Sequence, residues 1–545
     1  MSESQPLASG ASPGLRPRNP AGLRLSALIE LLNIEGDFPD TLLTGVSLDS
    51  RSIRAGDLYL ALPGMSSHGA RYAEAAIHSG ATAVLTDPEG LELLAESGSV
   101  TTPVLVVSEP RSWVGTIAER IYRTENPSEA PPMQLFGVTG TNGKTTTSYL
   151  IRSLLAALNR SSGLIGTIET LVGSQRVAST LTTPDSTDLH ALMAIMRENS
   201  LDAAVMEVSS HALTLGRVDQ VLFEVAGFTN LTQDHLDLHG EMEDYFAAKA
   251  MLFNAEHSGR AVITVDDEWG QKMAATANIP TLTLRTTIGT QEQDIEHEAD
   301  WWVSTASPRE LGWDVELRSA EHSLRFHTSL AGEFNVSNAA LAVLMVHASG
   351  ASIEELQAAL DQRDPLSLQV PGRMQLICRA PIAVVDFAHN PDALLRAMKA
   401  VQPSPESGGR LIVVFGATGQ RDQTKRGIMG ALAANNADVV IVTDDDPHDE
   451  DPGQIREQVL AGALLALEES TDRSTVLESL APRGAAIDRA VEMANSADTI
   501  LLAGRGHEVW QEVQGTALAL DDREELRVAL RKYGFTPEPV PEIES

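Results

Sequence analysis

Between a short apolar run, Leu135-Phe136, and a helical pattern through Leu150, Ile151, Leu154 and Leu155 stands Gly137-Val-Thr-Gly140-Thr-Asn-Gly143-Lys144-Thr145-Thr146-Thr147. No other stretch constrains the fold as tightly. Glycines let a backbone close around an anion, the amides and the following helix N-terminus point at it, Lys144 reaches the terminal phosphates, and Thr145 can ligate Mg²⁺. The chain is therefore expected to handle a nucleoside triphosphate on a strand–loop–helix unit. The general pattern G-x-x-x-x-G-K-[ST] wants glycine at 138, where Val138 stands, and the first glycine comes one residue earlier. The strand–loop–helix context argues against a plain glycine-rich turn.

A chain of 545 residues exceeds what one hydrophobic core organises, and three domains is the natural division. Residues 1–20 are Ser/Pro/Gly-rich without an apolar stretch and read as a disordered tail. Residues 21–126 form a first α/β domain: a helix through Leu25, Leu28, Ile29 and Leu32, a strand Asp57–Ala61, a helix near Tyr72–His78, and a strand Ala81–Leu85. The proline-rich stretch Asn126–Pro132 reads as a linker. Residues 133–369 alternate strands (Ala203–Met206, Val262–Val265) with helices, which implies a mostly parallel sheet covered on both faces. Within them, the region from Gln291 to Phe326 is less regular. After a boundary at Pro365–Pro371, residues 370–545 place strands Ile382–Val385, Leu411–Phe415, Val439–Val442 and Thr499–Leu502 between helices, a nucleotide-fold-like third domain.

No apolar segment approaches the roughly 20 residues a membrane span requires, and the single cysteine, Cys378, allows no intrachain disulfide, so the cytoplasm is expected. A formal charge of −35 argues against general nucleic-acid binding, which needs a basic surface.

Ligands of parallel sheets bind outside the carboxyl ends of the strands, and here those ends carry polar clusters. After Ala203–Met206 come Glu207-Val-Ser209-Ser210-His211; after Gly227-Phe228 come Thr229-Asn230 and Asp234-His235-Leu-Asp237; then Tyr245-Phe-Ala-Ala-Lys249. A carboxylate such as Glu207 beside a phosphate loop is a natural Mg²⁺ ligand, because the hard cation prefers oxygen donors and bridges phosphates. Taken singly, His235 reads as a structural histidine and Lys249 as a helix-surface lysine.

Together these segments resemble the Mur ligase family, ATP-dependent amide-forming enzymes that build the peptide of bacterial cell-wall precursors. The resemblance runs in order through GVTGTNGKTTT at 137–147, TTP at 182–184, MEVSSHAL at 206–213, NLTQDHLDLHG at 230–240, YFAAKAMLF at 245–253, GEFNVSNAA at 332–340, PGRMQ at 371–375, DFAHNPDAL at 386–394 and FGATGQRDQTKR at 415–426. The runs at 49–64 and 503–508 are similar to the branch that adds the third residue of the stem peptide. The implied architecture is three α/β domains: a substrate-nucleotide binder, a central phosphate-loop parallel-sheet ATPase and a Rossmann-like C-terminal domain. A monomer using ATP and Mg²⁺ is implied.

The resemblance also implies roles. Gly140, Thr141, Asn142, Gly143, Lys144, Thr145 and Thr146 would bind ATP, joined by Asn338, Arg373, Asp386 and His389. Thr145, Glu207, His235 and Lys249, the last as a carbamate, would hold Mg²⁺, with Lys144, Glu207, His235, Lys249 and Arg373 serving catalysis. Thr182, Thr183, Ser209 and Arg217 would contact the muramoyl-dipeptide, while Leu48, Ser50, Met65, Ser66 and Ser67 would contact the uridine nucleotide. Leu181 and Leu215 stand where asparagine and glutamine are common. The incoming amino acid would meet Arg421, Asp445, Asp446, His448, Gly504 and Glu508, with Arg421 on its α-carboxylate.

Relatives that add meso-diaminopimelate read D-N-P-R where this chain has Asp445-Asp446-Pro447-His448. A guanidinium pairs bidentately with the distal carboxylate of that substrate, and histidine cannot reproduce the fork. Six acids within Asp444–Asp451 would welcome a side-chain ammonium. L-lysine is therefore the expected substrate and L-ornithine the next, with meso-diaminopimelate the alternative. A regulatory NTPase switch does not explain three domains sharing a cleft. A non-catalytic scaffold does not explain Lys144, Thr145, Glu207, His235 and Lys249 together. A folylpolyglutamate-synthetase-like ligase would lack the uridine-nucleotide domain.

Overall fold

Strand Ala203–Glu207 is buried at every position, and its side chains alternate between two cores: Ala203 and Val205 enter one, Ala204 and Met206 the other. That is the signature of a strand covered on both faces, and it sets the plan of the molecule. The computed structural model describes all residues except 1–14, 37, 65–66, 98–100, 124–131, 178–180, 235–238, 288–298, 421, 470–473 and 541–545. Met65, Ser66, His235, Arg421 and all of the 126–132 stretch but Pro132 thus lie outside the described residues.

Three sheets dominate. The first is parallel and four-stranded, with Gly45–Ser47, Asp57–Leu60, Ala83–Thr86 and Val104–Val106 in that order. The helix Leu25–Leu32 buries Leu25, Leu28 and Leu32 in the same core. Ala191 and Ala194 of the helix Ser186–Glu198 complete this core, which fixes the first sheet's layer to the second's.

The second sheet centres on Gln134–Thr139, flanked by Ala203–Glu207 and then Ser162–Ile165 on one side, and by Val225–Phe228, Ala261–Thr264, Thr281–Arg285 and Trp301–Arg309 on the other, all parallel. Chain order reverses direction between Gln134–Thr139 and Val225–Phe228. Ligands bind at such a switch point. The region from Gln291, read as less regular, contains from Trp301 a three-stranded antiparallel meander (Trp301–Arg309, Gly312–Arg318, Ser323–Thr328) that extends the sheet.

The third sheet places Gln375–Arg379 antiparallel at one edge, then Ile382–Asp386, Thr499–Ala503, Leu411–Phe415, Val439–Val442 and Val476–Ser479 in parallel. Its strands also alternate between two cores, Val413 and Phe415 facing one and Ile412 and Val414 the other. Near the junction of the second and third sheets, Ala331 and Phe334 pack into the third sheet's core.

Residues 15–20, read from sequence as tail, are seated. Arg16 donates to Asp57 Oδ2 at 2.6 Å, and the amides of Arg18 and Asn19 donate to the Glu198 carboxylate at 2.9 and 2.7 Å. The Arg16 and Asp57 side chains are buried together, each supplying the other's counter-charge.

Candidate active site

The phosphate loop leaves strand Gln134–Thr139 and enters helix Lys144–Ala157. Two of its glycines are required by geometry. Gly140 has φ +145 and abuts Thr229, while Gly143 has φ +92 and abuts Asn338, so any side chain would be both strained and blocked. Lys144 Nζ donates to the carbonyls of Gly140 and Thr141, each at 2.8 Å, curling over the cradle it would share with an anion. Burial lowers the Lys144 pKa, countered by Glu207 and Asp234.

Beneath the loop, Glu207 ends its strand buried. Its carboxylate accepts from Thr145 Oγ1, Thr167 N and Thr167 Oγ1, each at 2.9 Å. These are hard oxygen donors beside a phosphate cradle, and the set fits Mg²⁺. Lys249, on helix Met242–Ala250, is buried; its Nζ donates to the Gly140 carbonyl at 2.9 Å and lies 4.5 Å from the Tyr245 ring centroid. Desolvation, then the charge of Lys144, holds its pKa well below the usual lysine range. The reading of Lys249 alone as a surface lysine fails for that burial.

From Glu207 a hydroxyl chain runs along the cleft. Thr167 Oγ1 meets Thr182 Oγ1 at 3.1 Å, Thr183 Oγ1 donates to the Glu207 carbonyl at 2.8 Å and lies 3.4 Å from Ser209 Oγ, and Arg217 donates to the Thr183 carbonyl at 3.2 Å. Ser209 caps the helix Ser210–Thr214, and Arg217 is anchored on Asp185 at 2.8 Å. Leu181 lines the same cleft, and both Leu181 and Leu215 are exposed.

The third sheet closes over the loop. Arg373 stacks 4.2 Å from the Phe387 ring centroid and donates to Thr145 Oγ1 at 3.4 Å and His507 Nδ1 at 3.5 Å. Asp386 accepts from the Met374 amide at 2.7 Å, and burial raises its pKa. His389 Nε2 lies 3.7 Å from Asp234 Oδ2. Asn390 caps the helix Pro391–Ala400 through Oδ1, and its Nδ2 reaches Asn142 Oδ1 at 3.3 Å and Asp234 Oδ2 at 3.2 Å. Asn142 in turn donates to Asp392 Oδ2 at 3.2 Å. Asn338 is buried and donates to Asn335 Oδ1 at 2.9 Å.

Across the cleft, carboxylate oxygens of Asp445, Asp446 and Glu508 lie within 4.8 Å of one another. Arg505, fully buried, reaches Asp446 at 2.5 Å, Glu508 at 3.5 Å and Asp445 at 3.8 Å. Burial, then the charge of Asp445, pushes the Glu508 pKa up to about 8. His448, at φ 50, pairs its Nδ1 with Glu512 at 3.1 Å. Of the six acids in Asp444–Asp451, Asp444 pairs with Arg456, Asp446 with Arg505 and Glu450 with Arg426, so the run repels an anion less than its composition implies.

One cavity of about 1060 Å³ joins all of this, lined from Thr141 to Thr146, by Thr182, Thr183, Glu207, Ser209, Arg217, Asn338, Arg373, Asp386 and His389, and by Asp445, Asp446, His448, Gly504 and Glu508. Lys249 and Gly140 sit behind its wall rather than in it. Leu48, Ser50 and Ser67 lie apart, near the carboxyl ends of the first sheet, where Ser50 opens a short helical turn and Ser67 Oγ is 3.1 Å from Tyr72 Oη. Thr167, Asp234, Asn390, His507 and Lys425 are functional candidates to which motif reading gave no role; Asp234, Asn390, Lys425 and His507 lie inside the motifs quoted above, and Thr167 lies outside them.

A phosphate loop and an oxygen-donor metal seat that share one cleft with a second nucleotide-like fold define a nucleotide-driven ligase of several modules. Residues 42–122 match the family model described as Mur ligase family, catalytic domain, residues 138–346 the Mur ligase middle domain, and residues 372–506 the Mur ligase, glutamate ligase domain. The UDP-N-acetylmuramyl-tripeptide synthetase of Leifsonia xyli subsp. xyli is 41% identical over 533 residues, covering 97% of this chain and 100% of that one. The UDP-N-acetylmuramoyl-L-alanyl-D-glutamate–2,6-diaminopimelate ligase of Corynebacterium glutamicum is 42% identical over 498 residues, 90% of this chain and 92% of that one. A solved structure of a ligase of that name aligns at TM-score 0.62 and 30% identity, over 94% of this chain and 100% of the other. The chain belongs to the Mur ligase family. It is an ATP- and Mg²⁺-dependent amide ligase of peptidoglycan synthesis.

Proposed function

We propose that this enzyme adds the third amino acid to UDP-N-acetylmuramoyl-L-alanyl-D-glutamate, with L-lysine the favoured donor and L-ornithine next. The observation that carries the reading is the single cavity in which the phosphate loop, the Thr182–Arg217 chain and the Asp445–Asp446–Glu508 carboxylates face one another. In this reading residues 21–126 hold the uridine nucleotide through Leu48, Ser50 and Met65–Ser67, residues 133–369 the ATP, and residues 370–545 the amino acid, in a cytoplasmic monomer.

The acceptor carboxylate attacks the γ-phosphate of ATP, giving an acyl phosphate and ADP; the amine of the incoming amino acid attacks the acyl carbon, forming the amide and releasing phosphate. Lys144 and Arg373 neutralise charge on the transferring group, and cleft closure keeps water from the activated carboxyl. Thr145, Glu207, His235 and a Lys249 carbamate would hold Mg²⁺, which when bound would supply Lewis-acid neutralisation of charge on the phosphate oxygens. The carbamate forms when the neutral Lys249 amine attacks carbon dioxide, making the N–C bond and losing a proton.

Support for a side-chain ammonium comes from the carboxylate cluster and from His448 in place of a guanidinium. A second reading, meso-diaminopimelate, is favoured by the names of relatives about 40% identical. Side-by-side kcat/KM for L-lysine, L-ornithine and meso-diaminopimelate decides between them. Preference for L-lysine or L-ornithine by tenfold or more is expected; preference for meso-diaminopimelate overturns the donor assignment, and His448→Arg should move the ratio toward it by about tenfold, the worth of one charge-assisted pair.

A further inference from the structure

Lys425 breaks the usual rules for a lysine. It sits in the first turn of helix Thr424–Asn436, where the helix field disfavours a cation. It is only 8% exposed, and among the described residues it has no hydrogen-bond or ion-pair partner. Its neighbour Arg426 shows the ordinary solution, pairing with Glu450 at 2.9 Å and Gln458 at 2.8 Å. The nearby acid Asp422 gives Oδ1 to the Thr424 amide and hydroxyl instead. Its stem is covered while its amine keeps access to the reaction cavity that it lines, so the cation is unpaired among the described residues and open to a ligand from that side.

We propose that Lys425 holds a carboxylate of the incoming amino acid, with the helix N-terminus adding to the attraction. The inference rests on the reading that the amino acid enters at this end of the third sheet. The phosphate loop belongs to a different sheet, whereas Lys425 follows strand Leu411–Phe415, which pairs Phe415 with Val442. The loops leaving those two strands touch, since a Cβ on Gly416 would lie 2.5 Å from the Thr443 carbonyl and 2.8 Å from the Asp445 amide. Adjacent loops thus present a cation and carboxylates to one cavity, the complement of a zwitterion.

The test uses the full-length enzyme and the variants Lys425→Met and Lys425→Arg. Hydroxamate formation from the UDP-muramoyl-dipeptide, ATP and hydroxylamine, without amino acid, reports folding and the first half-reaction. If the wild type forms no hydroxamate, the proposed acyl-phosphate step on the UDP-muramoyl-dipeptide fails, and not the Lys425 role. With that half-reaction intact, Lys425→Met should raise the KM for the amino acid by ~10–100-fold, leave the KM for ATP unchanged, and be partly rescued by arginine. On L-lysinamide, which lacks the α-carboxylate, the variant should cost no more than the wild type already loses if that carboxylate is the partner; a cost confined to meso-diaminopimelate assigns the distal one. A rise in the KM for ATP instead, or no change in either KM, overturns the proposal.

Discussion

Lys249 is a buried lysine whose surroundings disfavour the charged amine. Its amine is buried behind the phosphate loop, its pKa is depressed by desolvation and by Lys144, and among the described residues its hydrogen-bond acceptor is the Gly140 carbonyl. A neutral amine is the form that reacts with carbon dioxide. Lys249→Ala should therefore lower kcat by ~10²-fold or more while the KM for ATP changes little, the size expected for loss of a preorganised electrostatic group. Added short carboxylates should restore part of the rate. An intact mass showing a bare amine in active, metal-loaded enzyme would sink the carbamate. Glu508 gives a pH signature with a definite sign. Its pKa is raised to about 8, so the group is mostly neutral below that value and carries its charge above it. If it receives the donor's side-chain ammonium, the KM for L-lysine should fall as pH rises from 7 through 8, and Glu508→Gln should flatten that dependence. A wild-type profile that is flat or rises over the interval would remove Glu508 from ammonium recognition.

At the scale of elements, the segment 370–374 and the loop 503–508 cross where both backbones must be bare. Gly372 has φ +61 and a Cβ there would strike the Gly506 and His507 backbone; Gly506 has φ +52 and its Cβ would meet the Gly372 carbonyl at 2.6 Å. This crossing sets Arg373 beside His507, whose pKa is lowered to about 3 by burial and by Arg373, so the imidazole is neutral and accepts from the guanidinium. Gly506→Ala should cost ~1–3 kcal/mol of stability by thermal denaturation and raise the KM for ATP through a displaced Arg373. Unchanged melting and an unchanged KM would show that the crossing is slack. Sequence made much of this level legible. The strands Leu411–Phe415 and Val439–Val442 stand where their unbroken apolar runs put them, because a strand covered on both faces has no polar alternation to blur it. The meander of Trp301–Thr328 was not legible, since its strands are half exposed, Arg309, Asp314 and Arg318 share them with the core residues Val303, Val315 and Leu317, and a bulge between Val303 and Thr305 breaks the period. The site divides likewise. Lys144, Thr145 and Glu207 follow from one loop and one strand end, whereas Thr167 is placed by its contact with Glu207 across the cleft, which no local pattern encodes, and His507 and Lys425 lie in recognisable motifs whose sequence does not say what they face.

On the scale of the whole molecule, the contacts between the second and third sheets are of two kinds. One part is apolar, with Ala331 and Phe334 packed into the third sheet's core and Phe334 also bordering the cavity. The other part is polar and exchangeable with water: Asn142 with Asp392 at 3.2 Å, Asn390 with Asp234 at 3.2 Å and with Asn142 at 3.3 Å, and Arg373 with Thr145 at 3.4 Å. Such bonds each contribute about 1 kcal/mol net, so the apolar pivot should persist while the cleft opens and closes. Opening also admits substrates to a cavity that closure then shields from water. We expect solution X-ray scattering of the substrate-free enzyme to give a larger radius of gyration than the closed arrangement, and ATP with Mg²⁺ and the UDP-muramoyl-dipeptide to contract it. Asn390→Ala combined with Asp392→Ala should weaken that contraction, and lower kcat by about tenfold, without moving the melting temperature of the first module. An identical scattering curve with and without substrates would show that the cleft contacts hold on their own, and that Asn142, Asn390 and Asp392 serve rigid positioning instead of closure.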